Sequence, residues 1–405
     1  MTTTETMDRD RPLRRSPVWL AMGFRPFFLG ASLFAVLVTV LWLHSLASGA
    51  SPAEGYLRPA WWHAHEMVFG LALAVVAGFL LTAVRNWTGE NTLHGYPLLG
   101  LLLLWAAGRA LTPLPIPGPA IAAVNVAFPA ALALVLGRII VRSGKRRNYG
   151  IVVVLVALTI ASLLVHLEAN GVLEGVSRAG LYGAVHLVVL LNVVVGGRII
   201  PLFTRNGTGA ETSKVPTVDR AALTAAAAVA ALATTHAALP GSVGVGRALG
   251  ALAALSGALQ LLRMRTWGVA AGLRVPMLAV LHVGYAWIGV GQLLLAVAVL
   301  TTAVTATVAL HALTIGVIGT MTVGMMGRVT LGHTGRSIRA TWPLTAAFVA
   351  MSFAVLARLA EAVVPAAWAR EAWFVSGALF ALAYLLYLAI AVRPLTARRP
   401  DGRPG

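Results

Sequence analysis

Apolar runs of about 18 residues or more recur along almost the whole chain, from near residue 20 to near residue 392. A run of that length crosses a bilayer as a single helix, which needs about 20 predominantly apolar residues. Inside hydrocarbon each backbone amide must be satisfied within its own segment, so these runs are confined to helices. The pattern predicts an all-α polytopic membrane protein, a bundle of twelve spans. They fall at 20–43, 62–84, 96–112, 119–141, 150–168, 178–200, 219–239, 243–263, 275–299, 302–327, 341–364 and 370–392. Residues 1–19 and 393–405 are left as tails around one membrane domain, 20–392, because no loop is long enough to enclose a soluble core.

Charge supports the same reading. Only 11% of the 405 residues are charged, against about 25% in soluble domains. The formal net charge of +18 is spread over short loops, mostly as arginine, which argues against a nucleic-acid partner. Alternate loops collect the cations: Arg142, Lys145, Arg146 and Arg147, then Arg205 and Lys214, then Arg263, Arg265 and Arg274, then Arg328, Arg336 and Arg339. The loops between them hold Glu54, Glu168, Glu174, Glu361 and Glu371. By the positive-inside rule both termini are expected in the cytoplasm. Arg14-Arg15 precedes an apolar stretch too long for a secretory signal, so an uncleaved first span is expected.

Chemistry-bearing residues are few. There is no cysteine, which removes disulfides, thiolate haem, thiolate copper and Cys-ligated iron–sulfur clusters. Histidines, by contrast, recur inside the spans. Ionisable groups are costly there and usually mark a function. Counting 1.5 Å per residue places His63, His65, His186 and His311 in the outer half, and His282 and His333 near the inner end. One or two imidazoles suffice for a haem iron, and two or three suit copper, so the outer four are enough for a haem beside a copper.

His63 and His65 are two residues apart and face different ways on a helix, so they serve two sites unless the helix begins between them. His63 and Glu66 share a face at a spacing of three, which makes Glu66 a candidate to orient His63 or to carry protons. His44, His94, His166 and His236 lie near span ends and are expected to serve only as hydrogen-bonding or interfacial residues. Arg198 and Arg328 suit an anionic group such as a haem propionate, or simple anchoring at the inner face. Met321 and Met325 share a helix face and are expected to pack in the core.

Several segments together resemble one family. Gly23-Phe24-Arg25-Pro26-Phe27-Phe28-Leu29 is followed in order by Trp62-His63-Ala64-His65-Glu66-Met67, GFLLTAVRNWTG at 78–89 and GGRIIPLFT at 196–204. Then come the segment 273–287 around His282 and HALTIGVIGTMTVGMMGRVTLGHTGR at 311–336. This series is similar to the NnrS family. The resemblance implies a multi-pass protein of the bacterial inner membrane that holds haem b and copper. It further implies a role in nitric oxide metabolism, denitrification or tolerance of nitrosative stress; the reading that goes with it is a protein that binds nitric oxide and either reduces it or relieves its damage. His63, His65, His186, His282, His311 and His333 lie in or beside these segments and are the implied cofactor ligands, with Glu66 as the catalytic candidate. Electrons would then come from quinol or a separate cytochrome. The rival expectation is a transporter moving a metal ion or small solute along a histidine-lined path. The loop 86–96 lacks the basic turn of major facilitator transporters, and the histidines cluster at two depths instead of one.

Overall fold

The computed structural model describes residues 17–402. Arg14-Arg15 and most of the expected N-terminal tail lie outside the described residues. Twelve apolar helices follow one another: α1 Phe24–Ser48, α2 Pro59–Thr88, α3 Gly95–Leu111, α4 Gly118–Arg142, α5 Arg146–Ala169 and α6 Ser177–Thr208, then α7 Pro216–Ala238, α8 Val243–Met264, α9 Pro276–Leu300, α10 Ala306–His333, α11 Trp342–Ala362 and α12 Ala366–Thr396. Among the described residues there is no strand. Each helix falls on an expected span. Eleven are long and apolar enough to cross a membrane; α3, at 17 residues, is shorter. At 1.5 Å per residue α3 reaches about 26 Å, slightly less than a bilayer core.

Local chemistry sets the boundaries. Proline opens α2 at Pro59, α7 at Pro216 and α9 at Pro276, where its missing amide costs nothing. Gly49 and Gly89 close α1 and α2 in the left-handed conformation, each amide returning to a carbonyl four residues back. Pro113 to Pro119 breaks the chain between α3 and α4, as expected.

Neighbours in sequence are mostly neighbours in space, and α12 returns to pack on α1. The two most buried spans are α2 and α10. They touch one another, and both also touch α1, α6 and, for α10, α11 and α12. Elsewhere the helices approach closely through glycine. A Cβ on Gly257 of α8 would stand 2.8 Å from the carbonyl of Gly289 on α9, so these backbones are in direct contact.

Both chain ends meet at one face of the bundle. The Arg25 guanidinium, fully buried, donates through Nη1 to the carbonyls of Pro394, Leu395 and Ala397 at 3.2, 2.9 and 3.0 Å. It thereby caps the end of α12, whose last carbonyls have no helical partner. This face also holds His333, whose ring packs 5.6 Å from that of Phe24.

Candidate functional site

The two central helices share an irregularity at the face opposite the termini. In α2 the residues Glu66–Ala72 form a π-helical stretch that begins immediately after His65. In α10 a second such stretch, Ala312–Gly319, begins immediately after His311. A wider turn inserts a residue into the helical register and re-aims the side chains around it. Such turns concentrate at functional sites.

Around His65 this produces a buried polar chain. His65 and Glu66 are 0% and 2% exposed. The His65 ring donates from Nδ1 to Glu66 Oε1 at 2.9 Å, and Glu66 Oε2 meets Arg109 Nε of α3 at 2.5 Å. Arg109 continues to the Phe69 carbonyl at 3.3 Å and to the Asn125 side-chain oxygen of α4. Asn125 is held by the Ile121 carbonyl at 3.0 Å and Thr112 Oγ1 at 3.2 Å. Glu66 therefore serves His65, and the expected pairing with His63 is not formed. The spacing of three assumes α-helical register, which the chain leaves at Glu66.

Against His65 stands His166 of α5, 1% exposed, with ring centroids 4.9 Å apart and planes at 78°. Its Nδ1 is 2.7 Å from the Tyr56 hydroxyl in the α1–α2 loop. Asn170 supports both, donating to Tyr56 at 3.3 Å and to the His166 carbonyl at 2.7 Å. Burial pushes the Tyr56 phenol up to about 12, against a smaller opposing pull from the Asn170 amide. The Nε2 atoms of both His65 and His166 are buried and have no hydrogen-bond partner. The sequence points only to a span-end role for His166; the structure makes it half of a pair with His65.

His63 faces elsewhere, as its offset of two from His65 requires. Its ring stacks on Trp42 of α1 at 4.2 Å and 13°, and its buried Nδ1 has no partner. His63 and His311 lie within electrostatic range of one another and of Arg358 of α11. His311 donates from Nδ1 to the Thr307 carbonyl at 2.8 Å. Arg358 is held by Glu361 at 2.5 Å, which also accepts the Trp373 indole N–H.

The other candidates are apart from these pairs. His186 lines a cleft of about 470 Å³ with Arg178, Tyr182 and His236. His282 donates from Nε2 to Thr204 Oγ1 at 3.0 Å near the terminal face, leaving a buried Nδ1 without a partner. His333 packs on Phe24 at the same face. Arg198 is spent on the Asn148 side-chain oxygen and the Arg147 carbonyl at 2.9 and 2.8 Å, and Arg328 lies 3.9 Å over the Phe203 ring. Met321 and Met325 line an apolar cleft of about 600 Å³ with Phe28, Val75 and Asn192. Among the described residues no three histidine, aspartate or glutamate side chains converge as a metal cluster. Arg109 was the signal most open to sequence reading. An arginine inside an apolar run needs an anionic partner as much as Glu66 needs a cationic one.

Fold and site together define a polytopic helical membrane protein whose two central spans and α5 gather imidazoles near one face, with His65 and His166 buried against each other. The family model described as NnrS protein matches residues 18–399, nearly the whole chain. The chain belongs to the NnrS family. No curated protein matches it.

Proposed function

We propose that this chain is a haem- and copper-containing protein of the bacterial inner membrane that binds nitric oxide and takes part in its reduction or detoxification. The observation supporting this reading is the gathering of four imidazoles near one end of the bundle: His65 in ring contact with His166 of α5, and His63 within electrostatic range of His311. Three ring nitrogens there, on His63, His65 and His166, are buried without partners. A buried polar atom left unpaired costs about 1–3 kcal/mol, so donor atoms in this state fit a group that binds through them. The residues present therefore fit a nitrogen-bound metal, and His63 and His311 are the pair we assign to haem. When bound, the haem and copper would supply ligand coordination and electron transfer, which no side chain here provides.

The chain's own residues would fix and shield that chemistry. Glu66 holds the Nδ1 proton of His65, so His65 keeps its lone pair on Nε2. With its other oxygen on Arg109, Glu66 is placed better to position His65 than to shuttle protons. Trp42 fixes the plane of His63, and Thr307 fixes the tautomer of His311. The apolar cleft between α1, α2, α6 and α10 offers a small uncharged gas a path free of hydrogen-bonding groups except Asn192 and Thr322. By the positive-inside rule the termini are cytoplasmic and both imidazole pairs face the periplasmic side.

The test is an absorbance spectrum of the detergent-purified protein, before and after dithionite and then nitric oxide, with the variants His63→Ala and His311→Ala. A Soret band that shifts with nitric oxide and is lost or displaced in both variants supports the reading. A colourless wild-type protein from haem-replete cells overturns it and leaves solute or metal transport as the function to pursue.

A further inference from the structure

Two buried imidazoles whose free nitrogens have no partner, and whose other nitrogens are both held, form a prepared site. The Nδ1–H of His65 is directed to a carboxylate, which leaves Nε2 as a bare lone pair. The Nδ1 of His166 sits on the Tyr56 hydroxyl, and that oxygen also accepts from Asn170. The tautomer a metal requires has the His166 Nδ1–H donating to the second lone pair of that oxygen, which leaves Nε2 as the ligand atom. Metal-binding histidines are held this way, the distal N–H anchored to a carboxylate or another oxygen so that ring orientation and tautomer are fixed. Phe69 packs on the His65 ring at 5.1 Å, and with the near-perpendicular His166 it keeps the pair away from solvent.

We propose that His65 and His166 together bind a single monovalent copper ion, with Glu66 and Tyr56 as the residues that position them. This rests on the copper content inferred above but assigns it to a pair that includes a histidine outside every recognisable motif. The charge balance selects the oxidation state. Both imidazoles are neutral and Glu66 is already compensated by Arg109, so the pocket holds no spare negative charge. The desolvation cost of a buried ion grows with the square of its charge, which penalises a dication here severely. The ligand count agrees. Zinc almost always takes four ligands, and no third histidine or carboxylate converges on this pair among the described residues.

The experiment uses the full-length protein purified anaerobically, with haem and copper quantified separately and the copper K-edge absorption recorded. The wild type is expected to carry copper with a monovalent edge and a shell of imidazole nitrogens. His65→Ala and His166→Ala are expected to lose the copper while the haem content stays at the wild-type level. Tyr56→Phe and Glu66→Gln are expected to weaken copper binding by about 10–100-fold, measured by competition with a chromogenic Cu(I) chelator. Wild-type copper levels in both alanine variants overturn the proposal, as does a sulfur-containing or divalent wild-type shell. If an alanine variant does not fold, the wild-type edge and the Tyr56→Phe affinity decide instead. Copper retained by a protein that ignores nitric oxide would sink the functional reading and leave this site standing.

Discussion

Glu66 turns from His63, three residues before it, to His65, its immediate neighbour, and holds that ring at 2.9 Å. The π-helical stretch beginning at Glu66 leaves the α-helical register in which residues three apart share a face. The carboxylate is then shared with Arg109, so a pair of opposite charges and an imidazole form one unit deep in the bundle.

Breaking that unit from one side should be expensive. Arg109→Ala leaves Glu66 buried and uncompensated, at a cost of about 3–5 kcal/mol. The double substitution of Glu66→Gln with Arg109→Gln removes both charges and should cost clearly less than the single one. Thermal unfolding in detergent measures both, and equal losses would show that the charges are not coupled.

His282 should behave differently from the paired histidines. Its replacement by alanine removes one hydrogen bond to Thr204, worth about 1 kcal/mol, and some packing. Absorbance and nitric oxide binding are expected to be unchanged. A shifted Soret band in His282→Ala would place a haem ligand at the terminal face instead.

The contact between α8 and α9 tolerates no side chain. Gly257→Ala sets a Cβ 2.8 Å from the Gly289 carbonyl, where only backbone can yield. Helix separation should cost about 1–3 kcal/mol, and Gly257→Leu more. Unfolding midpoints ranked glycine, alanine, leucine check this; an unchanged alanine variant would contradict the packing.

The pH response of Tyr56 has a definite sign. Its phenol is pushed up to about 12 by burial, above the usual value of about 10. The folded state thus favours the neutral phenol. That contribution is complete below pH about 10 and is lost as pH rises toward about 12. Wild-type protein should lose stability across that window by more than Tyr56→Phe does, in parallel denaturation series.

The twelve helices were legible because hydropathy over a span-length window is a property of the chain alone. The histidine grouping was only partly so. The divergence of His63 and His65 follows from their spacing, and the structure sends His63 to the Trp42 ring and His65 to His166. That Glu66 meets His65 and not His63 could not be read from the sequence, because π-helical register leaves no mark in composition. His166 reads in sequence only as a span-end residue because its partners, the His65 ring and the Tyr56 hydroxyl, lie 101 and 110 residues away. Depth along a helix can be counted from a sequence, but which helices stand side by side cannot.

The tie between Arg25 and the last turn of α12 has a consequence for how the molecule is made. The first helix enters the membrane while the acceptors of its arginine, Pro394, Leu395 and Ala397, are still unsynthesised. Until the ribosome has delivered nearly the entire polypeptide, that cation has no native partner and must stay hydrated at the membrane boundary. The seam between the first and last helices therefore closes last, and a chain cut short before residue 394 carries its defect at its beginning.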